Sequence, residues 1–163
     1  MVKNILLFAI LLLFWSCAPQ RAMDEEEKVI NTSPENKVRS LEIQFIAGEE
    51  FNHPSFAFWT EDLYGNYIET LYVTQYVAKG KFAFGEIEPG KWKNEPGEVR
   101  RPATLPYWAH KRNIQAPDGL YIPSTETAIP DALTSATPKG NFVLQTATSN
   151  TDNEKFRVLC EIN

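Results

Sequence analysis

Polar and apolar positions change their rhythm several times along the chain. Ile5 to Trp15 is an unbroken apolar run of 11 residues. From Ala18 to Asn36 apolar residues are sparse. Asp24, Glu25, Glu26 and Glu27 stand in a row there, between Pro19 and Pro34. Such a stretch buries too little surface to offset its ordering entropy, so it predicts a flexible tether. Beyond Val38 the period becomes two. Leu41, Ile43 and Phe45 alternate with Glu42 and Gln44, which predicts a half-buried strand. Phe56 to Trp59 predicts a second strand. Tyr67 to Thr74, rich in β-branched and aromatic residues, predicts a third, and Glu61-Asp62-Leu63-Tyr64-Gly65-Asn66 between them is turn chemistry. The span 56–74 therefore predicts a hairpin with a longer loop. Lys81–Phe84, Asn141–Ala147 and Lys155–Ile162 are further strand candidates, with a polar turn over Thr148–Asn153.

The middle of the chain is irregular. Glu86 to Pro106 holds Pro89, Gly90, Pro96, Gly97, Pro102 and Pro106, a spacing that breaks any long element. Leu105–Arg112 predicts a turn or two of helix with Pro106 in its first turn. No internal repeat and no other helical periodicity stands out. Strands at short intervals with many turns predict an all-β fold, a β-sandwich over residues 38–163 with a long Pro/Gly-rich irregular segment and one short helix. The sequence stops at Asn163, in or directly after a strand, so the domain is either complete or clipped at its C-terminus.

Length and charge narrow the function. The 163 residues suffice for one domain of ordinary size. A net charge of −5 argues against nucleic acid as a partner, because phosphates demand a basic footprint. The two cysteines make neither a zinc knuckle nor a disulfide framework. His53 and His110 lie too far apart for a local metal motif, and each reads as a surface or packing residue. No G-x-S-x-G elbow, P-loop or H-E-x-x-H is present, and Glu61 and Asp62 are expected to point apart. The reading is of a protein that is not an enzyme and binds no metal.

The N-terminus reads as an address. Lys3 precedes an apolar run that falls short of the roughly 20 residues a spanning helix needs, so the run is a signal-peptide core. Ser16 before Cys17, directly after that core, resembles the lipobox of bacterial lipoproteins. Phe14 and Trp15 make it similar to the loose boxes of the Bacteroidetes. The resemblance implies a signal peptide over 1–16. Cys17 would become the first residue, diacylated on sulfur and acylated, with palmitate-type chains, on its amine. Residues 17–37 would form the acidic tether, and the body would be held in the cell envelope, facing the periplasm or the outer-membrane surface. Cys160, between Leu159 and Glu161, is expected to be a buried free thiol.

Two constellations remain. Trp59, Trp92, Trp108, Tyr64, Tyr67, Tyr72, Tyr76, Tyr107 and Tyr121 are mostly expected in the core. Trp92 and Trp108 fall in the irregular region and are candidates for an exposed platform. Near them stand Lys91, Lys93, Arg100, Arg101, Lys111 and Arg112 against Glu95 and Glu98. Trp92, Arg100, Arg101, Trp108, Lys111 and Arg112 thus form a candidate patch for a phosphate or an acidic redox partner, or else a solvated loop.

The second constellation is Asp131-Ala132-Leu133-Thr134-Ser135-Ala136-Thr137, followed by Pro138-Lys139-Gly140. It resembles D-x-x-[ST]-G-A-[ST], the acceptor motif of bacterial flavin transferases known from sodium-pumping NADH–quinone reductases. Asp131, Thr134 and Ala136 match, and Ser135 stands where glycine is usual. The resemblance implies that Thr137 takes flavin mononucleotide (FMN) as a phosphoester, while Asp131, Thr134 and Ala136 present the loop. On residue types alone the segment also reads as a turn before a strand.

A wider resemblance covers residues 38–163. Trp59, Asp62 and Gly65 around the hairpin, Leu105-Pro106-Tyr107-Trp108, the D-x-x-T-x-A-T-P-x-G run and the closing strand occur in this order in a domain-of-unknown-function family of predicted periplasmic proteins. The family is similar to the immunoglobulin-like sandwich of the flagellar hook-capping protein. Its genes lie near flavin transferases and PepSY-type membrane redox proteins. The resemblance implies an immunoglobulin-like β-sandwich that acts as a covalently flavinylated electron carrier. The alternative is a cofactor-free interaction module that binds protein or glycan at the cell envelope.

Overall fold

The computed structural model describes residues 28–35, 38–82, 85–88, 90–93, 97–98, 100–149 and 155–163. The signal segment, Cys17, the acidic run and most of the turn expected over Thr148–Asn153 lie outside the described residues. The main strands are β1 (Lys28–Asn31), β2 (Arg39–Phe45), β3 (Phe56–Asp62) and β4 (Tyr67–Thr74). Short ones follow in β5 (Lys81–Phe82), β6 (Gly85–Glu88), β7 (Lys91–Lys93), β8 (Gly97–Glu98) and β9 (Thr134–Ser135), and the chain closes with β10 (Phe142–Thr148) and β11 (Phe156–Ile162). Two short helices, α1 (Gln75–Lys79) and α2 (Pro106–Arg112), complete the described elements with a 3-10 turn at Asp131–Leu133. One sheet runs β1-β10-β2 and the other β11-β3-β4-β9. The fold is an all-β sandwich, as the alternation along the chain predicts.

Strand β3 explains the layering. Every residue from Phe56 to Glu61 is buried, the pattern of a strand covered on both faces. Phe56 and Phe58 point toward the β1-β10-β2 sheet and join Ile30, Leu71, Tyr72, Phe142 and Leu144 in the core between the sheets. Phe142 stacks on Phe45 and meets Phe56 edge-on, with ring centroids 5.1 and 5.2 Å apart. Ala57 and Trp59 point the other way. They pack with Val73, Val77, Leu105, Trp108, Ile122 and Ile129 beneath α2 and the loops around it. The second sheet is thus the middle of three layers, and each fully buried large side chain contributes about 1.5–3 kcal/mol. A bulge between Phe58 and Trp59 skips Leu71 in the register, and Leu71 and Tyr72 both enter the inter-sheet core.

Three expectations need correction. The tether expected over 17–37 does not extend through Lys28–Asn31, which pairs in parallel with Phe142–Gln145. Ile30 drives this by entering the inter-sheet core, and the Thr32 hydroxyl donates to the Leu71 carbonyl at 2.9 Å. Cys160 is exposed, not buried. It sits on edge strand β11, on the same face as the exposed Val158 and Ile162. Helix α1 was not expected. It buries Val77 and Ala78 and ends at Gly80, whose φ of 61° is left-handed. A Cβ at Gly80 would come within 2.9 Å of the Pro123 carbonyl oxygen, so the close approach also requires glycine. The irregular middle carries only strands of two to four residues, paired β5–β8 and β6–β7. Helix α2 starts with Pro106 at its first turn, as expected.

Candidate functional site

The segment 126–137 joins the acceptor-like run to a cleft. Its second half is the acceptor-like run. Asp131–Leu133 forms the 3-10 turn, and Thr134 and Ser135 pair in parallel with Val73 and Thr74 at the edge of the middle sheet. Thr134 Oγ1 donates to the Asp131 carbonyl at 3.2 Å, which closes the turn. The Asp131 carboxylate pairs with Lys79 on α1 in a largely exposed bridge of small energetic weight. Ser33 N donates to the Ala132 carbonyl, and Lys28 Nζ to the Ala136 carbonyl at 3.1 Å, so β1 and its sequel hold the run from the side. Ala136 is exposed, Thr137 is half-buried and Pro138 is buried. The Thr137 hydroxyl makes no hydrogen bond among the described residues.

The first half of the segment walls a cleft of about 690 Å³. Tyr67–Thr70 of β4, Arg112 and Ile114 at the end of α2, and Ser33–Glu35 complete its lining. Ile68, Ile114, Ile129, Leu133 and the prolines make much of the lining apolar, and its volume falls in the range of small-molecule sites. The polar floor is ordered. Trp108 Nε1 donates to Thr70 Oγ1 at 2.9 Å, and Thr70 Oγ1 pairs with Tyr67 Oη at 2.7 Å. Burial raises the Tyr67 pKa above its ordinary value. Glu69 is engaged by Ser149 N at 2.8 Å and by the Thr148 hydroxyl.

Arg112 stands out in this lining. It is 7% exposed, and its Nη1 is buried without a hydrogen-bond partner. Its guanidinium lies 5.0 Å from the Trp108 ring centroid. No carboxylate lies within ion-pair distance of it among the described residues. Burial lowers its pKa, although a guanidinium keeps its charge at any ordinary pH.

The basic patch expected from the sequence does not assemble on one surface. Arg100 pairs with Asp118 and donates to the Ile122 carbonyl at 3.2 Å. Arg101 is exposed and covers the Phe82 ring at 4.6 Å. Lys111 turns toward Gly65 and Glu61, and Arg112 enters the core. Trp108 is fully buried and so is not an exposed platform, because four-residue spacing puts it on the inner face of α2 with Arg112. The side chain of Trp92 lies outside the described residues.

Two acidic residues organise this region: Glu61, expected in a turn but found buried in β3, and Glu161, to which the sequence reading gave no role. Glu61 is buried at 1% exposure and accepts from Trp59 Nε1 at 2.9 Å. Lys111 and Arg157 approach its two oxygens at 3.4 and 3.6 Å. Glu161 of β11 accepts from the backbone N–H of Tyr107 at 3.1 Å and of Trp108 at 2.7 Å, capping the start of α2. Continuing the Ala57, Trp59 alternation by one step would have placed Glu61 beside Trp59 on the inner face. No local signal marks Glu161, whose partners are far away in sequence.

No protein-family model matches the chain, and no curated protein or solved structure matches it either. The resemblances described above therefore rest on their motifs.

Proposed function

We propose that the protein is an extracytoplasmic lipoprotein, anchored through Cys17, that carries FMN on Thr137. The observation that carries this reading is the state of the acceptor. The Thr137 hydroxyl is free of hydrogen bonds among the described residues, and it follows the exposed Ala136 outside any strand. An alcohol already engaged would first have to break its bond before attacking phosphorus. The other motif residues fit a presenting role: Thr134 closes the turn, and Asp131 is tied to Lys79 beside it.

In the transfer, the Thr137 oxygen would form a new bond to the flavin phosphate of a flavin dinucleotide. The phosphoanhydride bond breaks, the nucleoside monophosphate leaves, and the hydroxyl proton passes to a base of the transferase. The attached flavin supplies all the redox chemistry, and this chain supplies position. A PepSY-type membrane protein fits as redox partner through the gene context of the resembling family.

The test is intact mass and in-gel flavin fluorescence of protein co-expressed with a flavin transferase in a secreting host. An FMN adduct on the Thr137 peptide, lost in Thr137→Ala, supports the carrier. An unmodified mass beside a working control substrate refutes it.

A second reading has its own observation. Val158, Cys160 and Ile162 lie exposed along edge strand β11, and Ile46 is exposed beyond the end of β2. Apolar edge surface of this kind suits a cofactor-free module that binds a protein partner.

A further inference from the structure

We infer that the Arg112 cleft is a binding site for a small monocarboxylic acid with an apolar body, independent of any flavin on Thr137. A buried guanidinium with no carboxylate at ion-pair distance among the described residues is costly, and native proteins normally pair such a group. Four buried side-chain atoms lack partners among the described residues: Thr60 Oγ1, Tyr72 Oη, Thr146 Oγ1 and Arg112 Nη1. Three are neutral hydroxyls, whose orphaning costs little by comparison. Arg112 alone carries charge, and it alone of the four lines the 690 Å³ cleft. An incoming anion is the missing partner.

The chemistry of the lining narrows the anion. The planar guanidinium fork matches a carboxylate through two parallel N–H···O bonds. Glu35, Glu69 and Glu126 also line the cleft. Three carboxylates in the same lining disfavour a dianion such as a phosphate monoester more than a single negative charge held at Arg112. Ile68, Ile114, Ile129 and Leu133 suit an apolar or aromatic body. Tyr67 and Thr70 bond each other, and Thr70 accepts from Trp108, which keeps that wall shaped without a ligand.

The test uses the full-length protein and isothermal titration with phenylacetate, its neutral analogue phenylethanol, and benzyl phosphate. Phenylacetate is expected to bind about tenfold or more tightly than phenylethanol, the ratio a charge-assisted pair supports. It is also expected to bind more tightly than benzyl phosphate. Arg112→Met is expected to abolish the preference for the acid while its melting temperature stays equal or rises, since an unpaired buried charge is removed. A purely structural Arg112, packed on Trp108, would instead lower the melting temperature and leave acid and alcohol equal in both proteins. Arg112→Lys keeps the charge without the fork and should retain part of the preference. Equal binding of acid and alcohol by the wild-type protein overturns the site even if Arg112→Met does not fold. An undiminished preference in Arg112→Met overturns the role of Arg112, and tighter binding of benzyl phosphate overturns the carboxylate class.

Discussion

Replacing Glu61 by Gln and by Ala separates two kinds of interaction that meet on one side chain. Its carboxylate accepts from the buried Trp59 indole and faces Lys111 and Arg157. Breaking a fully buried ion pair costs about 3–5 kcal/mol, because a charge is stranded. Here the cations are not stranded. The Lys111 side chain is 28% exposed and that of Arg157 50% exposed, so both turn to water when the carboxylate is neutralised. Gln keeps the shape and an acceptor oxygen for Trp59, and the expected loss is about 1 kcal/mol. Ala leaves the indole N–H buried and unpaired, worth about 1–3 kcal/mol, and removes packed methylenes worth about 0.8 kcal/mol each. The expected loss for Ala is thus about 3 kcal/mol, and for a domain of this size each kcal/mol lowers the melting temperature by about 3–6 °C. Urea unfolding monitored by tryptophan fluorescence measures both variants. Equal losses for Gln and Ala would refute the argument, since they would put the energy in the ion pairs and not in the indole bond.

Three further outcomes are expected. Glu161→Ala removes a charged cap from two backbone N–H groups of α2 and should cost about 1–2 kcal/mol, while Glu161→Gln recovers part of it; chemical denaturation compares the two. The Asp62 carboxylate accepts from the Asn66 side chain, then from the backbone N–H of Asn66 and of Tyr64, and these bonds hold its pKa below the ordinary carboxylate value. A depressed folded pKa gives stability that is present above the unfolded value and lost as pH falls through the folded one, so the gap in melting temperature between wild type and Asp62→Ala should narrow between about pH 5 and pH 2. Desolvation and the Glu161 charge push the Cys160 thiol up to about 12. Although the residue is exposed, a maleimide should label it far more slowly at neutral pH than a free cysteine, and mass spectrometry follows the rate.

The parts of the fold that were legible in the sequence have local causes. Alternation in β2 and the hairpin residues of β3 and β4 declare themselves within a few positions, and Pro106 announces α2. Strand β1 was not legible because a single core residue, Ile30, anchors a polar segment to a partner strand far along the chain. The cleft was not legible either. It exists only where β4, the end of α2 and residues 126–133 converge. Arg112 read as surface charge because the burial of Trp108, one turn earlier on the same face, is a tertiary fact. For the acceptor-like run, sequence supplied the residue types, and only the structure places Thr137 after an edge strand with its hydroxyl unbonded among the described residues.

The contact between Lys28 and the Ala136 carbonyl fixes a distance scale for the proposed carrier. Strand β1, into which the proposed tether would lead, begins beside the loop that would hold the flavin. In the proposed lipoprotein, the chain from Cys17 to Lys28 could reach at most about 40 Å at full extension. A flavin on that loop would therefore ride near the foot of the tether and sweep a shallow shell above the lipid headgroups. Lengthening the leash would dilute it away from a membrane-embedded partner, and shortening it would concentrate it there, with no change to the domain itself.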